Sequence, residues 1–455
     1  MKDTIKLFLS TIDKIVISEK DIASQITEAI IKMGKIKFDN GTAYANVGTH
    51  WQKISRQDLL TIIRNMIVSS DRTRVKSTHI VEIAKRISED LTLYIDVEKA
   101  REKQQYLVNF QNCLVDVRTG EIITDRSKYI LDSVLEAEYK ENCSEADCPT
   151  FMNFIETSMG LENKNCIFNV TGFMISPVTG AKKAVFLTGE TDGGKSTYLL
   201  FLESCVAPEL VSHVSFQQLS DKYFTLQLEG MTMNVGYDNS GQAVGNEHVF
   251  KSIVSNERIE GRALRDNPKQ FTPRAKLIFA SNKAYVFKHP DSALYRRMVI
   301  VPFEHSIPAD KQDPELLEKL IAERDIICSI SVKKLKQLVE SGYDFQMSAK
   351  GQAYLTSRIA DLNSVKSFLT ERAVTEDDAT ISMATLFESY KEWCKDNSLT
   401  AEGRNEFRES VLSFTPGIDY RKVGPRQKRV WGFKGLRLKN AAELDVPVDN
   451  TEERN

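Results

Sequence analysis

Paired cysteine is the first thing missing. The seven cysteines are odd in number and scattered, with no CxxC, which excludes a disulfide framework of the small secreted kind and a zinc ribbon. Cys143 and Cys148 are the closest pair; with no second cysteine or histidine pair beside them, they read as two unlinked thiols. A surplus of positive charge is missing too. The chain has 61 Lys and Arg against 63 Asp and Glu, a net charge of −2, so any contact with nucleic acid must come from local basic patches. No apolar run approaches the ~18 residues of a membrane span. The opening MKDTIKLFLSTIDKIVISEK carries Asp3 and further charges through its apolar stretch, unlike a secretory signal. A cytoplasmic protein without a membrane partner is expected. Internal repeats and low-complexity tracts are absent as well.

What is present is enough chain for several cores: 455 residues, 41% hydrophobic and 27% charged, the size of two to four domains of roughly 100–200 residues. Residues 1–150 mix helical patterns (DLLTIIRNMIVSS, VEIAKRISEDLTLYI) with a hairpin-like stretch, FDNGTAYANVGTHWQKI, and predict an α+β accessory domain. Between 151 and 340 the apolar runs AVFLTG, MTMNVGYD, KLIFASN and RRMVIVPF alternate with helical segments, the pattern of a mostly parallel sheet in an α/β core. Residues 341–440 pass through an acidic break, TEDDAT at 375–380, then two amphipathic helical segments and a basic β-like stretch, an order that suits a winged-helix-like module. The acidic residues 441–455 predict a flexible tail.

The most specific motif is Gly189-Glu190-Thr191-Asp192-Gly193-Gly194-Lys195-Ser196, with Thr197 following: GxxxxGK[ST] between the run AVFLT and the helical segment STYLLFLES. Strand, loop and helix in that order make a phosphate-binding loop of an ATP site. Its glycines let the backbone wrap the phosphates so that amide N–H groups and the helix N-terminus face the anion. Lys195 adds a charge for the β- and γ-phosphates, and Ser196 a hydroxyl for Mg²⁺.

Three further positions fit the same chemistry. Asp238 ends the run MTMNVGYD, where an acid can hold Mg²⁺, although an Asp after a strand also serves as a turn former or helix cap. Asn282 ends KLIFASN; its amide can orient water or sense the γ-phosphate, or simply make a turn. Arg296 and Arg297 precede the next apolar run. Either can reach a neighbouring subunit's γ-phosphate, or both can be a solvated pair capping a strand.

With these motifs at such compact spacings, the chain resembles a superfamily 3 helicase, and more narrowly the helicase part of phage, plasmid and poxvirus-type primase-helicases. The similarity reaches upstream to LVNFQNCLVDVRTGE at 107–121, CPTFMNFI at 148–155 and TGFMI at 171–175, so that it covers about residues 30 to 305. The resemblance implies an AAA+-like P-loop NTPase core that uses ATP and Mg²⁺. It also implies a homo-hexameric ring around single-stranded or forked DNA, movement generally 3′ to 5′, and a bacterial host cell. By position it makes Lys195, Asp238, Asn282 and Arg296 or Arg297 catalytic. The stretch NERIEGRALRDNPKQFTP at 256–273 resembles a hairpin that lines the ring channel, with Arg262, Arg265 and Lys269 as candidates for gripping phosphates.

Two departures bear on that reading. The second acidic motif usually holds two adjacent acids, whereas this chain has Tyr237-Asp238-Asn239. A neutral neighbour is no general base, so Asp238 serves alone, Glu190 or Glu229 assists, or hydrolysis is slow. Residues 1–150 resemble the linker domain of the family rather than a primase, which leaves priming to a separate partner. Residues 420–440 carry Arg421, Lys422, Arg426, Lys428, Arg429, Lys434, Arg437 and Lys439 with no acid, interleaved with Trp431 and Phe433. Arg426, Lys428 and Arg429 are the candidate contacts of a wing lying along duplex phosphates; a hairpin with a solvated basic face is the other reading. An origin-binding initiator, with ATP as an assembly switch and little unwinding, is the rival to a helicase.

Overall fold

The computed structural model describes residues 2–17, 21–237, 247–263, 267–283, 285, 287, 291–308, 310, 312–362, 364–397, 399–425 and 427–440. The chain divides into two units, Met1–Lys288 with Val299–Ser348, and His289–Met298 with Ala349–Asn455.

The first unit opens with α1 (Lys2–Ser10) and α2 (Ile22–Met33), then β1 (Ile36–Asp39), β2 (Thr42–Asn46) and β3 (Trp51–Ile54) as an antiparallel sheet in that order. The hairpin expected here has a third strand. Asn40 and Gly41 turn the chain between β1 and β2 with φ of 47° and 78°, the two left-handed residues that a two-residue hairpin needs. α3 (Arg56–Met66) starts at a Ser55–Asp58 capping box. It buries Leu59, Ile62, Ile63 and Met66, and α4 (Ser77–Glu89) buries Ile80, Ile83, Ala84 and Ile87. These stripes close one apolar core with Phe8, Ile26, Ile36 and Phe38. α5 (Val97–Lys103) follows.

A second antiparallel sheet comes next: β4 (Leu107–Asn109), β5 (Leu114–Asp116) and β6 (Ile122–Ile123). The chain continues through α6 (Pro149–Met159), α7 (Lys164–Ile175), β7 (Ala184–Gly189), α8 (Lys195–Ser204), β8 (Val211–Ser212), a one-turn α9 (Lys222–Thr225), β9 (Met233–Gly236) and α10 (Glu247–Val254). A hairpin of β10 (Ile259–Gly261) and β11 (Lys269–Phe271) leads to β12 (Lys276–Ser281), the one-turn α11 (Ser292–Tyr295), β13 (Met298–Phe303), α12 (Leu316–Ala322) and α13 (Arg324–Glu340).

Five of these strands form one sheet in the order β13-β7-β12-β9-β8, with β7, β12, β9 and β8 mutually parallel. Every residue of β9, β12 and β13 is buried, as the near-continuous apolar runs of a sheet covered on both faces require. Phe110, Val115 and Leu135, from the stretch around the β4–β6 sheet, share one core cluster with Phe154, Phe168, Val185, Val235, Ile278, Phe303 and Leu335. Phe186, Phe216, Phe250, Phe279, Tyr285 and Phe287 form a second aromatic group, with ring centroids 4.5–6.2 Å apart.

Among the groups buried in this unit are a lysine and a pair of thiols. Lys276, at the start of β12, is buried and donates to the Ser176 carbonyl. Cys205, at the end of α8, and Cys328, in α13, are both buried free thiols with their sulfurs 3.6 Å apart.

The second unit takes α11 together with α14 (Ala349–Leu362), α15 (Ser364–Arg372), β14 (Ala373–Ser382), α16 (Met383–Asp396), α17 (Arg404–Phe414), β15 (Asp419–Val423) and β16 (Val430–Leu438). Phe368, Leu386, Tyr390, Trp393, Phe407, Phe433 and Leu436 make its core. The antiparallel sheet runs β14-β16-β15. Residues 375–380, expected as a break, lie within β14. The register jumps there from Thr375↔Leu436 to Thr380↔Lys434, so a bulge carries the acidic residues while the strand resumes on either side.

Candidate nucleotide site and nucleic-acid surfaces

The sequence motif occupies the turn from β7 into α8, and tight packing shapes that turn. Gly189 has φ 136°, and a Cβ there would sit 1.8 Å from the Phe303 carbonyl oxygen at the end of β13. Gly194, the N-cap of α8, has φ 90°, and its Cβ would meet Phe154 at 2.8 Å and the Ser158 hydroxyl at 2.9 Å. Both positions therefore demand glycine for backbone conformation and for space. Asp192 has φ 60°, and its carbonyl accepts from the Ile307 N–H at 3.1 Å. The Ser158 hydroxyl is buried beside Gly194 without a hydrogen bond among the described residues.

Lys195 is the first residue of α8 and is buried. Its ammonium donates to the Gly189 carbonyl at 2.9 Å and to the Glu190 carbonyl. Gly193 is buried and Thr197 half-buried, while Glu190, Thr191, Asp192 and Ser196 are exposed. The first N–H groups of a helix have no partner within the helix and carry its positive dipole end, so this turn offers a positively polarised, water-facing loop.

Asn282 follows β12, which lies beside β7 in the sheet. Its amide donates to the Thr191 hydroxyl at 3.5 Å, at the long limit of a hydrogen bond. The end of β12 and the loop after β7 thus meet. β9, on the far side of β12, leads to Tyr237. Asp238 and Asn239 lie outside the described residues.

Tyr237 brings a contact that local sequence does not signal. Its hydroxyl donates to Glu203 of α8 at 2.7 Å, and His213 Nδ1 lies 3.7 Å from the same carboxylate oxygen. Burial and the hydrogen bond to Glu203 push the tyrosine's pKa up. The strand that leads to Asp238 is thereby tied to the helix that follows the loop. Glu229, one alternative acid, precedes β9 and pairs with Lys269 at 2.5 Å. It therefore lies before the strand whose other end leads to Asp238.

The two arginines differ. Arg297 is half-buried and donates to the Ala293 carbonyl of its own one-turn helix at 2.8 Å, whereas Arg296 is exposed.

The stretch at 256–273 contains the β10–β11 hairpin. Arg262 is exposed at the end of β10, Arg265 lies outside the described residues, and Lys269 begins β11 in its ion pair with Glu229.

The basic C-terminal run is less uniformly positive than its sequence. Arg437 pairs with Glu376 at 2.5 Å, Lys434 with Asp378 at 3.8 Å and Arg421 with Asp419 at 4.0 Å. Glu376 and Asp378 come from the β14 bulge, far upstream in the chain. Exposed Lys422, Lys428 and Arg429 remain without a carboxylate at ion-pair distance among the described residues; Arg426 lies outside them. Three of the cations without a carboxylate partner among the described residues, Lys422, Lys428 and Arg429, gather toward the tip of the β15–β16 hairpin, while Lys439, at the other end of the run, donates to the Thr370 carbonyl.

Residues 27–160 match a family described as "D5 N terminal like", a domain found in phage and viral primase-helicases, and residues 187–297 match a family of unknown function. No curated protein matches the sequence. Among solved structures, the apo structure of the NrS-1 C terminal region (305-718) is similar with a TM-score of 0.49 and 11% identity, covering 92% of this chain and 100% of that one. The A form apo structure of the same region gives 0.48 and 11%, covering 90% and 98%. Among the described residues no helix is long and apolar enough to cross a membrane.

Proposed function

We propose that this protein is an ATP-dependent replicative DNA helicase of the superfamily 3 kind, related to phage-type primase-helicases and working as a homo-hexameric ring on single-stranded and forked DNA. The observation that carries the reading is the meeting of Asn282 with Thr191: a polar strand end touches the very loop whose glycines, lysine and helix N-terminus suit a triphosphate. The sheet order supports it. β12 separates β7 from β9, so the loop strand and the strand leading to Asp238 stand two strand spacings apart, about 9–10 Å. That interval has room for phosphate oxygens and a cation. The match to a D5 N terminal like domain at residues 27–160 supports the assignment to replication.

In this reading the N–H groups at the start of α8 and the Lys195 ammonium bind the β- and γ-phosphates of ATP. Ser196 and Asp238 are the residues that would hold Mg²⁺; a hydroxyl and a carboxylate are the oxygen donors a hard cation takes. Bound there, the ion neutralises phosphate charge. Asn282 orients the attacking water or senses the γ-phosphate. Arg296 or Arg297 of a neighbouring subunit offsets charge on the transferred phosphoryl group. Arg262, Arg265 and Lys269 grip the strand in the channel, and the Lys428–Arg429 tip recruits DNA.

The test joins DNA-stimulated ATP turnover with strand displacement on forks bearing opposite single-stranded tails. Wild-type protein displaces a strand from one tail polarity, and Lys195→Ala loses at least ~10²-fold in hydrolysis, by analogy with other electrostatic stabilisers. Near-normal turnover in that variant overturns the site. Tight binding to one DNA sequence with no displacement replaces the helicase by the initiator.

A further inference from the structure

At the tip of the β15–β16 hairpin the second unit carries an aromatic stack that is only half covered. The Arg408 guanidinium of α17 lies 5.5 Å from the centre of the Tyr420 ring, and Tyr420 stacks on Trp431 at 5.3 Å with their planes 16° apart. Cross-strand pairing explains the arrangement. Tyr420 opposes Phe433 and Lys422 opposes Trp431, so all four share one face of the hairpin. Phe433 is buried in the core, but Trp431, two residues nearer the tip, runs past the core's edge and is 54% exposed, beside Val430 at 51%.

A lone exposed apolar side chain needs no explanation, but Trp431 and Val430 are exposed together and rimmed by polar groups, the pattern that marks an interaction site. Here Tyr420 supports one side of the ring system, and the exposed remainder is available to another flat π-surface. Lys422, Lys428 and Arg429 are exposed around it, without carboxylate partners among the described residues. Acids do neutralise the cations farther along the sheet, Lys434 and Arg437. Positive charge thus gathers where the aromatic surface opens. A pre-stacked aromatic flanked by phosphate-binding cations is the chemistry that holds single-stranded nucleic acid, since every base has a π-face, whereas the bases of an intact duplex are already stacked on each other.

We infer that Trp431 is a base-stacking platform, and that this hairpin binds an unpaired nucleotide of single-stranded DNA, with Lys422, Lys428 and Arg429 on the flanking phosphates. The inference rests on the DNA-directed reading above but needs neither ATP hydrolysis nor a ring.

Fluorescence isolates the site. The chain has three tryptophans, and Trp51 and Trp393 are 7% and 5% exposed, so a nucleic acid stacking on Trp431 quenches the one exposed indole. Full-length protein without nucleotide is titrated with a single-stranded oligothymidylate and, separately, with a blunt duplex of equal length. Binding of labelled DNA is followed in parallel by anisotropy. Saturable quenching by the single strand, absent with the duplex, is expected. Trp431→Ala should weaken single-strand binding about tenfold, within the range for loss of one base–aromatic stack, and Trp431→Phe should restore most of it. Lys428→Ala/Arg429→Ala should lower the salt dependence of binding while leaving the quench at saturation. Equal quenching by duplex, single-strand binding without quenching, or full affinity in Trp431→Ala each overturns the inference. A failed ATPase or displacement assay, by contrast, leaves these readouts untouched and counts only against the motor.

Discussion

Replacing Gly189 by alanine tests whether the loop is built as described. The new methyl carbon would lie 1.8 Å from the Phe303 carbonyl oxygen and 2.7 Å from its carbonyl carbon. Those are backbone atoms at the end of a buried strand, so they cannot swing aside as a side chain would. The same residue has φ 136°, a conformation that costs an L-residue about 1–3 kcal/mol. Forcing an atom into a packed site adds about 1–3 kcal/mol. Together they give a loss of about 2–6 kcal/mol, set against a native stability of about 5–15 kcal/mol. At about 2–4 °C per kcal/mol for a domain of some 150–250 residues, the melting temperature falls by roughly 4–24 °C. Gly230→Ala is the control that separates the two terms. Its φ is 77°, but nothing lies within 4 Å of the added carbon, so only the backbone cost remains, about 1–2 kcal/mol. Thermal unfolding followed by circular dichroism, without nucleotide, ranks the three proteins. Wild type should be the most stable and Gly189→Ala the least. If Gly189→Ala melts with or above Gly230→Ala, the loop does not press on β13 and the account of its shape fails.

Mixing Arg296→Ala or Arg297→Ala with Lys195→Ala protein should, for whichever arginine acts in trans, restore part of the ATP turnover that each lacks, since mixed interfaces pair an intact loop with an intact arginine; no recovery in either mixture after verified subunit exchange assigns the pair a structural role. Burial, with the nearby Arg274 charge, lowers the Lys276 pKa from 10.5 to about 7. Between those values the unfolded chain binds a proton that the folded chain does not, so stability rises with pH, and below about pH 7 the cost of a buried charge is present in full. Lys276→Met should therefore stabilise the protein most at about pH 6 and remove that rise, as melting curves across pH will reveal; a wild-type slope in the variant rejects the assignment. A fragment starting at residue 151 discards Phe110, Val115 and Leu135 from a core whose large side chains contribute about 2–5 kcal/mol each. It should be insoluble or melt without cooperativity, while one starting at about residue 104 folds; equal behaviour of the two would contradict the shared core.

Much of the α/β architecture is legible because buried parallel strands are written as apolar runs. AVFLTG, KLIFASN and RRMVIVPF mark β7, β12 and β13, and the motif between β7 and α8 is local in sequence. What escapes has its cause elsewhere in the chain. β8 is two residues long, too short for any periodicity to register. The strand at 375–380 is acidic and exposed, and its partner β16 lies some sixty residues away. Membership of Phe110 and Val115 in the larger core depends on tertiary packing that no window of sequence contains. The same holds for Phe303 against Gly189 and for the Tyr237–Glu203 bond, each of which joins residues far apart in the chain. The basic C-terminal run misleads for a related reason: the acids that pair with Lys434 and Arg437 belong to the β14 bulge, so counting charges within the run overstates the positive surface.

The buried thiols of Cys205 and Cys328 join the end of α8 to α13 at a sulfur separation of 3.6 Å. The hydrogen bond between them, with burial, holds the Cys328 pKa well above its ordinary value, so little reactive thiolate is present in the closed fold. An alkylating reagent must therefore wait for that part of the molecule to open. The labelling rate of the pair becomes a chemical clock for local opening at the far end of the helix that begins with Lys195. Read residue by residue, it times the breathing of this region with no probe attached and no activity required.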